Sequence, residues 1–205
     1  MYRFDHDWFS DNITNIKNLS LGNEEAEIKI LEIGAFEGRS TVFLADHFKK
    51  AKITTIDTWE GSPEHEDNPE INFKSVKENF DYNISFHKDR IKPIQGKSFD
   101  VLMDLYKLGE TFNFVYIDGA HDAKSVNSDL ILSFSIMSVG GLLYCDDYYW
   151  GFNEKHYNNY KKTDTNFVFD SPKLGIDSFV NVYANKLRPV LGLTNISSCF
   201  IKVAE

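Results

Sequence analysis

The sequence predicts an α/β protein: a doubly wound, seven-stranded, mostly parallel sheet with helices on both faces. Three observations predict it. From residue 28 onward, apolar runs short enough for buried strands alternate with helix-like stretches. Several of those runs end on an acid, at Asp57, at Asp118 and at Asp146-Asp147. In Leu31-Glu32-Ile33-Gly34-Ala35-Phe36-Glu37-Gly38-Arg39-Ser40, an apolar run turns on glycine straight into a helix. That is the usual way a parallel sheet presents backbone to a cofactor. Gly34 permits the tight turn, and Gly38 lets a ligand or strand approach the first helical turn without a Cβ in the way.

The elements follow in order. Before the first strand, Phe9, Ile13, Ile16 and Leu19 recur at helical spacing, with Ser10 or Asp11 placed to cap. Residues 1–27 thus read as a helical extension packed on the domain. Ile28–Ile33 is the first strand, Ser40–Lys50 the first helix of the alternation, and Lys52–Asp57 the second strand. Thr58-Trp59-Glu60-Gly61-Ser62-Pro63 is a loop at the carboxyl edge, and Ile71–Phe80 can form a helix. Lys92–Gln95 is a short third strand, turned by Gly96-Lys97-Ser98 into a helix over Phe99–Leu108. Phe112–Asp118 is the fourth strand, with a helix from Ala123 to Met137 that Gly140-Gly141 stops. Leu142–Cys145 is the fifth strand. Residues 148–171 break the pattern and read as a substrate lid, since long loops inside compact domains are usually functional or disordered. Ile176–Leu187 reads as a helix, and Pro189–Leu193 and Ser198–Val203 as two closing strands.

At 205 residues, with 42% apolar and 15% aromatic content, the chain forms one domain, spanning 1–205, with a sizeable core. The formal charge of −9 argues against a nucleic-acid partner. Two cysteines, Cys145 and Cys199, are too few for a disulfide scaffold and lack metal-ligand spacing. The first residues carry no apolar signal core, and no run approaches the roughly 20 apolar residues of a membrane span. The expectation is a cytoplasmic protein with no membrane partner.

Ligands of an open parallel sheet sit beyond the carboxyl ends of its strands. Those ends carry Glu32, Asp57, Asp118, Asp146 and Asp147. Five carboxylates around one crevice call for something positive: a divalent metal, a cationic cofactor, or Arg and Lys side chains. Asp57 lies nineteen residues past Gly38, where an acid in dinucleotide-type folds takes ribose hydroxyls. The Gly34-x-x-x-Gly38 spacing departs from the Gly-x-Gly-x-x-Gly of nicotinamide dehydrogenases.

Five motifs in this order resemble the class I S-adenosylmethionine-dependent methyltransferases, and most closely their small catechol O-methyltransferase-like branch. They are the glycine turn 31–40, Asp57, Gly96-Lys97-Ser98, Tyr116-Ile117-Asp118-Gly119-Ala120-His121, and Gly140-Gly141 through Asp146-Asp147-Tyr148. The resemblance implies a Rossmann-like methyltransferase fold, S-adenosylmethionine as cofactor and a small-molecule hydroxyl as acceptor; a homodimer is the commonest arrangement for such enzymes. It implies that Glu32, Gly34, Ala35, Phe36, Gly38 and Ser40 face the methionine part and ribose. Asp57 and Thr58 would follow at the ribose, Ser98 with Phe99 or Trp59 would bound the adenine, and Asp118 would close the site. Residue chemistry leaves alternatives at three of these: Glu32 capping backbone amides, Asp57 capping a loop, and Ser98 as a helix N-cap.

The same resemblance implies a metal at Asp118, Asp146 and Asp147. Hard oxygen ligands suit Mg²⁺, Mn²⁺ or Ca²⁺. Asp147 stands where catechol methyltransferases carry Asn, which adds negative charge. His121 occupies the spacing of that branch's catalytic lysine, three residues past Asp118, and imidazole suits a general base. His65, His87 and His156 have no such context and read as surface or lid residues. Trp59, Tyr148, Tyr149 and Trp150 would wall the pocket. The rivals to a metal-assisted O-methyltransferase are a metal-independent enzyme of the same fold and a non-catalytic cofactor-binding module.

Overall fold

The computed structural model describes residues 1–19, 21, 25–61, 71–150, 170–193 and 197–205. Most of the expected lid, together with His65, His156 and the Ser62-Pro63 end of the loop after the second strand, lies outside them. Seven strands form one sheet: β1 (Lys29–Ile33), β2 (Lys52–Asp57), β3 (Ile91–Gln95), β4 (Phe112–Ile117), β5 (Met137–Cys145), β6 (Leu187–Pro189) and β7 (Ser198–Lys202). Their order is β3-β2-β1-β4-β5-β7-β6. β1 to β5 pair in parallel, and β7 runs antiparallel between β5 and β6. The doubly wound, mostly parallel expectation holds.

Period-two patterning sends each strand's side chains to two cores. Ile30, Phe114, Tyr116 and Tyr144 face one side, beneath α1 (Ile13–Lys17), α2 (Arg39–His47) and α3 (Phe73–Ile84), which supply Ile16, Leu44 and Phe80. Leu31, Ile33, Val115 and Leu143 face the other, beneath α4 (Ser98–Lys107), α5 (Ala123–Ser135) and α6 (Pro172–Val182), which supply Leu102, Leu130 and Phe179. The helix starts have local causes. Asn72 accepts from the Lys74 and Ser75 amides ahead of α3, Asp122 accepts from the Ser125 amide ahead of α5, and proline opens α6. Both cysteines are free and buried. Among the described residues, no helix is long and apolar enough to cross a membrane.

Several boundaries differ from the sequence reading. The N-terminal segment is a 3-10 turn, Ser10–Asn12, running into a short α1, and neither Ser10 nor Asp11 caps it. Instead Asp7 accepts from the Ser10 amide at 3.1 Å and from its hydroxyl at 2.7 Å. Gly140-Gly141 does not stop a helix but lies inside β5. The β4–β5 pairing shifts register between Phe112 and Phe114, and a Cβ on Gly141 would sit 2.9 Å from Asn113 O. The last helix starts at Pro172 rather than Ile176 and ends at Val182, and the strand expected over Pro189–Leu193 is instead Leu187–Pro189, with Leu187 paired to Lys202.

α5 is closed by a lysine rather than a glycine. Lys202, 1% exposed, reaches from β7 to donate to Phe134 O at 3.1 Å and Met137 O at 2.8 Å, and it pairs with Glu205 at 2.7 Å. A cation at a helix C-terminus satisfies orphan carbonyls and opposes the dipole. Lys202→Met removes these donors and leaves two buried carbonyls unpaired. The expected loss is about 2–3 kcal/mol, read as a lower urea midpoint at unchanged slope.

Candidate active site

Five strand ends are tied together at one edge of the sheet. The ladder continues past the strands: Gly34 N donates to Ile56 O at 2.9 Å, Asp118 N to Ile33 O at 2.8 Å, Gly96 N to Asp57 O at 3.0 Å, and Asp146 N to Ile117 O at 2.9 Å. Gly34, at φ +88°, passes so close to the end of β4 that a Cβ would lie 1.8 Å from Asp118 O. Only glycine fits there. The strand order reverses between β1 and β4, the place where open α/β sheets bind ligands. A cavity of about 1320 Å³ opens at this edge.

Of the residues expected to hold a cofactor, Gly34, Ala35, Phe36, Ser40, Asp57, Thr58, Trp59, Ser98 and Asp118 line this cavity. Asp57 shapes one wall. Its Oδ2 accepts from the Ala35 and Phe36 amides, both at 2.8 Å, and its Oδ1 accepts from the Trp59 amide at 2.7 Å. Phe36 (φ 48°) and Trp59 (φ 53°) are both left-handed, a conformation bulky residues rarely adopt. The Trp59 indole donates to Phe36 O at 3.0 Å and closes the clasp. Asp57 is therefore a loop cap, and Oδ1 still has room for a further donor from the cavity.

Glu32 and Gly38 are placed differently from the sequence expectation. Neither lies on the cavity wall. Glu32 is fully buried and accepts from the hydroxyls of Ser40 at 2.5 Å and Thr41 at 2.6 Å, pinning the start of α2 to β1. Burial pushes its carboxyl above the usual range, and the two hydroxyls oppose that. A Cβ on Gly38 would sit 2.9 Å from the Phe80 ring, so Gly38 serves the packing of α3.

At the β3 side, Lys97 is the N-cap of α4 without a side-chain cap bond, so Ser98 is not the N-cap. On the same wall lies Asp129 of α5, which sequence reasoning missed. Asp129 is 3% exposed yet on the cavity wall, and burial pushes its carboxyl up to about 7. The available signal was an acid within the apolar stripe Val126, Leu130, Phe134.

At the β4–β5 side, Asp118, His121 and Asp147 offer ligand atoms within 4.8 Å of one another. His121 Nε2 is 3.0 Å from Asp147 Oδ2, and its ring stacks on Trp150 at 4.7 Å. Asp147 sits at φ 54°, a left-handed bend after β5. Burial, then the charges of Asp146 and Asp147, push Asp118 well above the carboxylate range.

Asp146, expected as a metal ligand, is corrected by its surroundings. It is 8% exposed and absent from the main cavity. Its Oδ1 accepts from Ser197 Oγ at 2.7 Å and the Asp147 amide at 2.8 Å, and its Oδ2 accepts from Tyr116 OH at 2.7 Å and from Asn12 Nδ2. All four lone-pair sites are taken by protein donors. Tyr148 and Tyr149 also turn away from the wall. The Tyr148 hydroxyl donates to Asp177 at 2.7 Å, and Tyr149 packs edge-on against Tyr148. Trp59 and Trp150 do line the cavity.

The N-terminal segment contributes His6, Asp7, Trp8, Phe9, Ser10 and Asp11 to the cavity wall, which helical periodicity did not reveal. Buried Glu37 holds it, accepting from the Asp5 and His6 amides at 2.9 and 3.1 Å. Trp8 lies over Phe36 at 4.7 Å. His87, expected at the surface, anchors Tyr2 OH at 2.8 Å.

A family model described as a methyltransferase domain matches residues 31–148. No curated protein matches the chain by sequence. Among solved structures, the chain is similar to a Klebsiella pneumoniae protein assigned as an O-methyltransferase, at 15% identity and TM-score 0.64, covering 98% of this chain and 84% of that one. It is similar to the Bacillus cereus O-methyltransferase in complex with SAH, at 19% identity and TM-score 0.58, over 97% and 83% of the two chains. It is also similar to the MycE methyltransferase of the mycinamycin pathway in complex with Mg, SAH and mycinamycin VI, at 16% identity and TM-score 0.59. That match covers 98% of this chain and 51% of that one. With the glycine turn, the strand-end acids and more than half the chain matched, this protein belongs to the class I S-adenosylmethionine-dependent methyltransferases.

Proposed function

We propose that this methyltransferase acts on a hydroxyl oxygen of a small molecule or sugar. The observation that carries the reading is the His121–Asp147 pair, 3.0 Å apart on the cavity wall beside Asp118. An alcohol or phenol is a weak nucleophile until its proton leaves, so the site needs a base within reach of the acceptor. In its neutral form His121 takes that proton. Asp147 fixes the ring and balances the imidazolium that forms, while Trp150 stacks on the ring and limits its rotation.

The residues present fit S-adenosylmethionine. The cofactor supplies a sulfonium methyl, and the remaining work is alignment. Asp57 keeps acceptor capacity on Oδ1 for ribose hydroxyls, Ser40 keeps an acceptor lone pair while donating to Glu32, and Trp59 and Phe36 offer apolar wall. The acids at the β4 and β5 ends suit a cationic sulfur.

A divalent cation also fits. With Asp118, His121 and Asp147 holding it, its positive charge, in place of His121 as base, would lower the pKa of the acceptor hydroxyl. Two carboxylates with one imidazole suit Mg²⁺ or Mn²⁺, and the nitrogen donor favours Mn²⁺ over Ca²⁺. The metal-independent alternative rests on the same 3.0 Å pair, which makes a base without help. MycE, whose structure holds Mg and SAH, supports the metal reading by likeness of fold.

Calorimetric titration of S-adenosylhomocysteine into Asp57→Ala should show affinity about a hundredfold weaker than wild type, the worth of a charge-assisted hydrogen bond plus a loosened turn. Unchanged affinity removes the cofactor assignment. In a panel of catechols, sugars and hydroxylated aromatics followed by S-adenosylhomocysteine release, His121→Gln should lose roughly 10²–10⁴ in kcat while keeping cofactor affinity. Turnover that survives exhaustive EDTA treatment would leave the His121–Asp147 pair as the whole of the deprotonation machinery; loss restored by Mn²⁺ or Mg²⁺ supports the metal.

A further inference from the structure

We propose that Asn12 and Asp146 are positioning residues for the His121–Asp147 pair, so that docking of the N-terminal segment assembles the proton-removing end of the site. The inference rests on His121 being the base. It assigns a task to a strand-end acid that lies off the main cavity.

The geometry of the pair depends on the bend at Asp147. Its backbone is left-handed (φ 54°), and a residue with a Cβ stays there only when its surroundings over-determine it. The Asp147 amide donates to Asp146 Oδ1 at 2.8 Å, and Trp150 N donates to Asp147 O at 2.8 Å. From that bend Asp147 Oδ2 reaches His121 Nε2 at 3.0 Å, and Trp150 stacks on the ring at 4.7 Å. The side chain of Asp146 thus sets the bend that carries both partners of His121.

Asp146 is aimed in turn by residues far along the chain. Asn12 Nδ2 donates to its Oδ2 from 134 residues earlier, and Ser197 Oγ donates to its Oδ1 at 2.7 Å from 51 residues later. Asn12 is itself oriented, because its Oδ1 accepts from Tyr144 OH at 2.7 Å and leaves Nδ2 facing Asp146. Asn12, Tyr144 and Asp146 are all buried. Buried polar groups that satisfy one another hold one arrangement, and a mismatched partner is costly there. Asn12 ends the 3-10 turn whose Ser10 and Asp11 line the cavity, so the docked turn delivers the donor. The path runs Asn12, Asp146, Asp147, His121, each step a hydrogen bond or a peptide bond. The cofactor end has its own support in the Asp57 clasp, which uses Ala35, Phe36 and Trp59.

A charge swap tests the path. Asn12→Asp sets carboxylate against carboxylate and should release Asp146. Adding Asp146→Asn moves the charge and reverses one hydrogen bond. The amide at position 146 keeps Oδ1 for Ser197 and the Asp147 amide, and its Nδ2 donates to the carboxylate at position 12, which still accepts from Tyr144. Tyr116 OH, 3.4 Å from Asn12 Nδ2 in the wild type, can turn its proton to that carboxylate.

The readout that needs no acceptor is the ring Nε2–H resonance of His121 in proton NMR, identified by its absence from His121→Gln. Wild type should show it, protected from exchange by Asp147. Asn12→Asp should lose it and the double variant should regain it, while calorimetric affinity for S-adenosylhomocysteine stays within about threefold in all three. With an acceptor from the panel, Asn12→Asp should lose at least about tenfold in kcat at unchanged KM for S-adenosylmethionine, and the double variant should recover most of it. If Asn12→Asp does not fold, Ser197→Ala removes one donor from Asp146 and should weaken the resonance and kcat together. A wild type without the resonance, a resonance unchanged in the folded single variants, or a folded double variant no better than Asn12→Asp overturns the inference and leaves the base reading standing. Turnover unaffected by His121→Gln overturns the base reading and this inference with it.

Discussion

The carboxylate of Asp57 holds the site's geometry in one place. Three backbone amides converge on it, two from the turn after β1 and one from the loop after β2. Two of the three donors belong to residues in left-handed backbone, Phe36 and Trp59, which cost free energy to hold there. Charge-assisted hydrogen bonds from amides to an anion are strong enough to offset that strain. The result is a turn whose path is set by an acid on the neighbouring strand. Because the turn is fixed, Gly34 can run against the end of β4 and Ser40 can point its hydroxyl back to Glu32. The cavity edge inherits its shape from these contacts.

The acids of this edge divide by what surrounds them. Glu32 and Asp146 are buried and fully engaged: Glu32 by two hydroxyls of α2, Asp146 by donors from four segments. They join elements together. Asp57, Asp118 and Asp147 stay on the cavity wall. Tyr116 stands between the groups, with its hydroxyl 2.7 Å from Asp146 and 3.2 Å from Asp118. It has one proton to give, and the shorter contact takes it. The second contact is a hydrogen bond only while Asp118 carries a proton, in keeping with the raised pKa of that group. Asn12, from the N-terminal segment, joins the same cluster through Tyr144 and Ser197. The segment that roofs the cavity at Trp8 is thus anchored beneath it at Asn12.

Much of the molecule was legible in the chain. Short apolar runs marked β1, β2 and β4, and the acids at strand ends marked the cavity edge. The spacing from Gly38 singled out Asp57, which the structure shows as the clasp, and the spacing from Asp118 singled out His121, which lies on the same cavity wall. The misreadings share one cause. Gly140-Gly141 looks like a helix stop because local sequence does not show that Lys202, 65 residues past Met137, caps α5 earlier. Asp146 looks like a ligand because local sequence does not show Asn12 and Ser197 arriving from both ends of the chain. Asp129 was overlooked because local sequence does not show that an acid within the apolar stripe of α5 reaches the cavity wall.

The sequence by itself determined the fold class, the alternation of parallel strands with helices along the chain, and the sheet edge at which the cavity opens. These follow from hydrophobic periodicity and from glycine and acid positions, which act over a few residues. Only the tertiary structure decided which acids are free to meet a ligand and which are consumed as joints, and that the N-terminal segment walls the site. A carboxylate's role depends on the donors within about 3 Å of it, and those donors come from segments far apart in the chain.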